Sequence, residues 1–151
     1  MTPTRTLAPR ARLVWRLEQA FVWGILVVVS LFFAGRLDGV LELLARVLPL
    51  LGLVIGVTVV PELRWRRWRW DVRPDAIDIR RGTFTVRRTL VPMLRVQHVD
   101  TTSDIVQQQM NLADVVVHTA AGSHKIPLLT EADAGDLRDR IAELASTADE
   151  P

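Results

Sequence analysis

Three histidines, His98, His118 and His124, and the absence of cysteine set the transition-metal chemistry open to this 151-residue chain. Imidazole nitrogens suit zinc-like ions, but several must converge on one point. A turn at Ala121-Gly122 would set Thr119 opposite His124 and His118 opposite Lys125. Side chains alternate along a strand, so His118 and His124 then face opposite sides, and no shared metal site is expected. Ser103 and Ser123 stand in polar stretches without the G-x-S-x-G elbow of an activated serine. No glycine-rich phosphate loop occurs. Asp100 and Asp104 read as loop or turn residues rather than a catalytic pair. The sequence therefore predicts a protein that is not an enzyme, with no catalytic residues and no cofactor.

The sharpest pattern is RWRRWRW, in which Arg64, Arg66, Arg67 and Arg69 are interleaved with Trp65, Trp68 and Trp70. An arginine near an anionic leaflet contributes about 1 kcal/mol, and indoles favour the headgroup layer. The segment is a candidate site for anionic lipid headgroups. The plainer reading is an anchor that stops a helix at the interface. A weaker candidate set, Arg80, Arg81, Arg87 and Arg88, surrounds a predicted hairpin. Exposed strand faces account for it equally well.

Two apolar stretches precede this segment, Ala20 to Gly35 and Val40 to Val60, with only Arg36 to Gly39 between them. As a helix the first spans about 24 Å. Extension back through Leu17, Val14 and Leu13 brings it to the roughly 30 Å of a hydrocarbon core. In the second, Glu42 and Arg46 lie four apart in the first two turns and can pair on one face. Its Leu, Val and Ile residues offset the remaining penalty. Pro61 with Glu62 is expected to mark the exit from the membrane. Gly52 and Gly56 form a G-x-x-x-G, and Ala20 and Gly24 a similar pair, which suits packing within the hairpin or between chains.

A cleavable signal is disfavoured because the candidate site after Ala34 has Phe32 where a small residue is needed, and a second span follows. A buried soluble hairpin would accept Glu42 and Arg46 but gives the arginine and tryptophan flanks no role. Arg5, Arg10, Arg12 and Arg16 precede the first span, and the RWRRWRW arginines follow the second. The loop offers only Arg36 beside Asp38, so the positive-inside rule predicts both termini in the cytoplasm.

Charge is distributed unevenly. Residues 1–72 carry +5 and residues 73–151 carry −3. Positive charge thus gathers next to the membrane, which argues against a nucleic-acid partner for the remainder. One lysine against eighteen arginines reads as the codon usage of a GC-rich bacterium. The lack of cysteine suits a reducing compartment.

Beyond Trp70 the period changes to two. DVRPDAIDIRRG places Ile77 and Ile79 on one face and Asp78 and Arg80 on the other. A turn at Arg81-Gly82 leads to FTVRRTLV, with Phe84 and Val86 on one side. LRVQHVDTT, ADVVVHT and HKIPLL read as further strands, with SDIVQQQMNLA a loop or one helical turn. Pro127 suggests a sheet edge or strand end. A final helix is capped by Thr130 with Asp133, and Leu137, Ile141 and Leu144 make its apolar stripe. The expected organisation is a basic segment 1–19, a two-helix membrane hairpin 20–63, a mainly-β head 64–146 and a disordered tail 147–151.

Short antiparallel strands closed by one C-terminal helix form the plan of a pleckstrin-homology (PH) domain. The residues Val91-Pro92, Arg95-Val96-Gln97, Val99, Leu112-Ala113 and Val115 to Val117 fit this plan. Here the chain resembles the second branch of bacterial membrane-anchored PH-like domains, whose pattern runs I-P-x-x-R-I-Q-x-V, then Leu-Gly-Leu-Ala and a valine-rich strand. Upstream membrane helices are typical of that family. One departure is QQQMN, Gln107 to Asn111, where the family often has a basic, glycine-containing stretch. The resemblance implies a mainly-β PH-like sandwich or barrel behind a membrane hairpin in the bacterial inner membrane. It also implies a non-catalytic adaptor or assembly role, with related PH-like membrane proteins as partners or self-association. Anionic-lipid binding is the alternative.

Overall fold

The structure, a computed structural model, describes residues 3–148. It divides into two compact units: residues 12–63, and a head made of Arg64 onward together with the described residues up to Ala11. Residues 149–151 of the expected tail lie outside the described residues.

The membrane unit is built on α1 (Ala11–Ala34) and α2 (Val40–Arg67). Only 6% of the most apolar window of either helix is buried, which is the reverse of a soluble core helix. Such helices satisfy their backbone bonds internally, as a hydrocarbon surrounding demands. The indole of Trp23 lies over Gly52 and Gly56. A Cβ at Gly52 would fall 2.1 Å from its ring, and one at Gly56 2.5 Å from it. The G-x-x-x-G therefore works inside the hairpin, as a groove for an indole. Trp23 Nε1 in turn donates to Gln19 Oε1 at 3.2 Å. Glu42 and Arg46 pair at 2.5 Å, as their spacing predicts. Arg12 and Glu62 pair at 3.1 Å.

α2 continues past Pro61 to Arg67, with Pro61 buried inside it. A proline removes one intrahelical donor, a loss that membrane helices accommodate.

The head holds two three-stranded antiparallel sheets. β1 (Arg69–Val72), β2 (Ala76–Arg81) and β3 (Arg87–Pro92) form the first. A 3₁₀ turn, Met93–Arg95, leads to β4 (Val96–Thr102). After α3 (Ile105–Gln109) come β5 (Leu112–Thr119) and β6 (Gly122–Thr130). α4 (Glu131–Ala148) closes the arrangement as a PH-like sandwich. Trp70, Ile77, Ile79, Val91, Val115, Val117 and Ile126 form the core, and α4 adds Ala134, Leu137 and Ile141. Leu144 is only half-buried. Thr130 caps α4, its Oγ1 accepting from Asp133 N at 3.1 Å and donating to Asp133 Oδ2 at 2.6 Å.

Two local expectations are corrected. Phe84 and Val86 do not lie on a strand; they belong to the connection before β3 and are exposed. The β5–β6 register pairs Thr119 with Gly122, His118 with Ser123 and Val117 with His124. Thr119 Oγ1 closes this tighter turn, accepting from Ala121 N at 3.3 Å and donating to Gly122 O at 2.8 Å. The shift is by two residues, so His118 and His124 still face opposite sides.

The QQQMN segment is architectural. Gln107 N donates to Asp104 Oδ1 at 2.8 Å, and Gln107 Oε1 accepts from Asp104 N at 3.2 Å, a capping box around α3. The Gln107 amide also donates to both oxygens of buried Asp114 at 3.2 and 3.1 Å. Asp114 Oδ1 accepts from Leu128 N at 2.8 Å, where the bulged strand after Pro127 carries Leu128 at φ 55. Lys125 completes the neutralisation. Asn111 takes φ 53, a conformation asparagine reaches more easily than most residues, so the turn survives without glycine.

Replacing Asp114 by Ala would leave the Gln107 amide and the Leu128 N–H unpaired in the interior. The expected loss is about 3 kcal/mol, read as a lower urea midpoint of the full chain in detergent micelles. Asp114→Asn, which keeps an acceptor for Leu128, should lose distinctly less.

Candidate functional site

The RWRRWRW segment is divided by the fold. Arg64 to Arg67 form the last turn of α2, Trp68 links, and Arg69 and Trp70 begin β1. Trp68 and Trp70 are each 4% exposed and belong to the head core. Trp65 is half-buried, its Nε1 3.2 Å from the carbonyls of both Leu7 and Ala8. The three indoles thus serve the head's own packing. Arg69 donates to the carbonyls of Trp68 at 2.7 Å and Trp65 at 3.3 Å, satisfying the open end of α2. Arg67 donates to the carbonyl of Thr83 in the β2–β3 connection. Arg66 is exposed.

That connection is shaped by Gly82 at φ 142. A Cβ there would lie 1.9 Å from the Thr85 carbonyl oxygen, so the loop closes on a bare backbone. It presents Phe84 at 83% exposure. Beneath it Arg64, Trp68, Arg81, Thr83, Thr85 and Arg87 line an open cleft of about 380 Å³. Cross-strand register sets Arg81 opposite Arg87, and Arg69 and Arg88 on either side of Arg80. Like charges facing across a sheet are unfavourable unless something balances them. Among the described residues no carboxylate pairs with Arg81 or Arg87.

Arg88 has a different task. Its Nε donates to Asp78 Oδ1 at 2.9 Å and its Nη2 to Oδ2 at 2.5 Å, while Arg73 reaches Oδ2 at 3.2 Å. The Asp78 side chain is 1% exposed, on the outer face of the first sheet. The Arg88 hydrogen bond, opposed by desolvation and aided by the charges of Arg88 and Arg73, holds the Asp78 carboxyl below the ordinary aspartate range. The same pair raises the Arg88 pKa.

On the outer face of the second sheet, the register brings His98 opposite His118. Their rings stack with centroids 4.3 Å apart and planes 11° from parallel. Asp100 Oδ2 lies 3.3 Å from His118 Nε2 and 3.7 Å from His98 Nε2. The sequence hides this meeting because β4 and β5 are separated by α3. The two-residue spacing of His98 and Asp100 was the available local signal. His124 lies on the other face.

Two long apolar helices joined to a helix-closed, two-sheet head define a membrane-anchored protein of the PH-like class. The sequence matches the family model for the bacterial PH domain over residues 20–145, and the chain belongs to that family. It is 36% identical over 157 aligned positions to the UPF0699 transmembrane protein YdbS of Bacillus subtilis (strain 168), covering 98% of this chain and 96% of that protein. It is 25% identical over 91 positions to the UPF0699 transmembrane protein YdbT of the same strain, covering 60% of this chain but 18% of that longer one. No solved structure matches the chain.

The Asp78 ion pair gives the head a defined acid response. A carboxyl lowered on folding contributes stability in full above its unfolded value of about 3.9, and that contribution is lost as pH falls through the lowered folded value. Stability should therefore hold down to about pH 4 and decline below it. In Asp78→Asn the decline, followed by thermal unfolding in micelles between pH 5 and pH 2, should be shallower.

Proposed function

We propose that this protein is a non-catalytic, membrane-tethered adaptor or assembly module for other membrane proteins carrying PH-like domains. The observation that carries this reading is the open edge of β4. Among the described residues the strand order β4-β5-β6 leaves one side of β4 without a strand neighbour, with α4 packed against β4. Beside it Met93, Leu94, Val96, Val99, Ala142 and Ala145 border a groove of about 360 Å³. Leu94 is 73% exposed there. An open strand edge beside a groove that mixes these apolar side chains with Gln97, His98 and Ser146 can accept an extended segment through backbone hydrogen bonds. Confinement to one membrane raises effective concentration, so a weak contact suffices. The match to a portion of a much longer relative supports partners that carry a similar module within a larger chain. A second copy of this chain is the other partner of the same chemistry. The arginine asymmetry supports placement in the bacterial cytoplasmic membrane with both termini inside.

A photo-cross-linking residue at Leu94, activated in intact cells, should capture a membrane protein bearing a PH-like domain or a second copy. Ala145→Arg should reduce the adduct several-fold. A chain that yields no adduct and sediments as a monomer in mild detergent would contradict the reading.

The cleft of Arg64, Arg81 and Arg87 beneath Phe84 favours a second reading, contact with anionic headgroups. An apolar tip flanked by cations fits the boundary between acyl chains and phosphates. Arg88, engaged by Asp78, is not part of this set.

With no native cysteine, Phe84→Cys carries a unique environment-sensitive label. In nanodiscs the label should become shielded with anionic but not neutral lipid. Each of Arg81→Gln and Arg87→Gln should lower the ratio of shielded to exposed label about five-fold, the equivalent of about 1 kcal/mol for the one charge removed. Equal exposure in both lipids would end this reading.

A further inference from the structure

The outer face of the second sheet carries His98, which also borders the groove beside β4, together with Asp100 and His118. We propose that His98, Asp100 and His118 form a binding site for a borderline divalent transition ion such as Zn²⁺, with two imidazoles and one carboxylate as protein ligands and a further position left to water. Zinc–nitrogen and zinc–oxygen bonds of about 2.0–2.2 Å give a tetrahedron with edges of about 3.3–3.6 Å. One edge already has that size, at 3.3 Å for His118 to Asp100, and a second, His98 to Asp100, exceeds it by about 0.1 Å at 3.7 Å. All three ligand atoms lie within 4.8 Å of one another.

The backbone that presents them is fixed. His98 and Asp100 are two apart on β4 and share a face, and His118 is the cross-strand partner of His98. The rings themselves are free to adjust. An imidazole lone pair lies in the ring plane, so two parallel stacked rings cannot both address one ion as they stand. Turning one ring about its soft terminal torsion opens the stack. The side chains are 60% and 34% exposed, so the turn disturbs no core packing. The next residue on this face, Val116, carries no charge, and Lys125 beyond it is bound to Asp114. No cation therefore stands against the ion from that side. Imidazole with carboxylate selects ions of the zinc and nickel type over Mg²⁺, which prefers all-oxygen shells.

Calorimetric titration of tag-free full-length protein in detergent micelles with ZnCl₂ tests the site. One saturable ion per chain is expected, undiminished by excess Mg²⁺. Binding should weaken about ten-fold or more in His98→Gln and in His118→Gln, and stay unchanged in His124→Gln on the opposite face. Urea midpoints equal to the parent separate lost ligation from lost folding. Absence of saturable binding would overturn the proposal. So would wild-type affinity in folded His98→Gln and His118→Gln, or a loss that follows His124 instead.

Discussion

A carboxylate inside a protein must be paired and hydrogen-bonded, because an uncompensated buried charge is expensive. Among the described residues the head contains two such groups, one in each sheet. Asp78 engages Arg73 and Arg88 in the first sheet. Asp114 takes the Gln107 amide, the Leu128 N–H and Lys125 in the second. The first of these pairings commits Arg73 and Arg88 to the fold. The second holds Leu128 in a left-handed conformation that an apolar side chain would otherwise avoid.

The membrane unit answers a different constraint. Its helices have lipid-like surroundings, so hydrophobic burial cannot by itself bring them together, and close packing must do so. Trp23 seated over Gly52 and Gly56 is that contact, and Glu42 with Arg46 shows how a charged pair sits near a helix end. The extension of α2 past Pro61 carries the arginines out on a helical turn rather than a loop. Two of the indoles then turn inward and anchor the head's core.

What remains exposed is sorted by location. The β2–β3 tip gathers cations under an apolar side chain. The edge of β4 borders a groove of mixed polar and apolar lining. The outer face of the second sheet holds imidazoles and a carboxylate. Exposed side chains on a packed scaffold can carry interaction chemistry without weakening the fold.

Apolar run length, arginine asymmetry and the change of period from helical to two determined the membrane hairpin, the strands and the capped final helix. These are local properties, and each residue's neighbours in sequence suffice to express them. The long-range partners were decided only by the tertiary structure. Nothing near Asp78 in sequence says that Arg88 will cover it, and nothing near Gln107 says that it will point inward to Asp114. The tryptophans of RWRRWRW looked like interface residues because composition cannot tell a buried indole from a lipid-facing one. His98 met His118 only once β4 and β5 paired across α3. Register between distant strands is set by the packing of a whole face, and a sequence read along its own length does not contain that face.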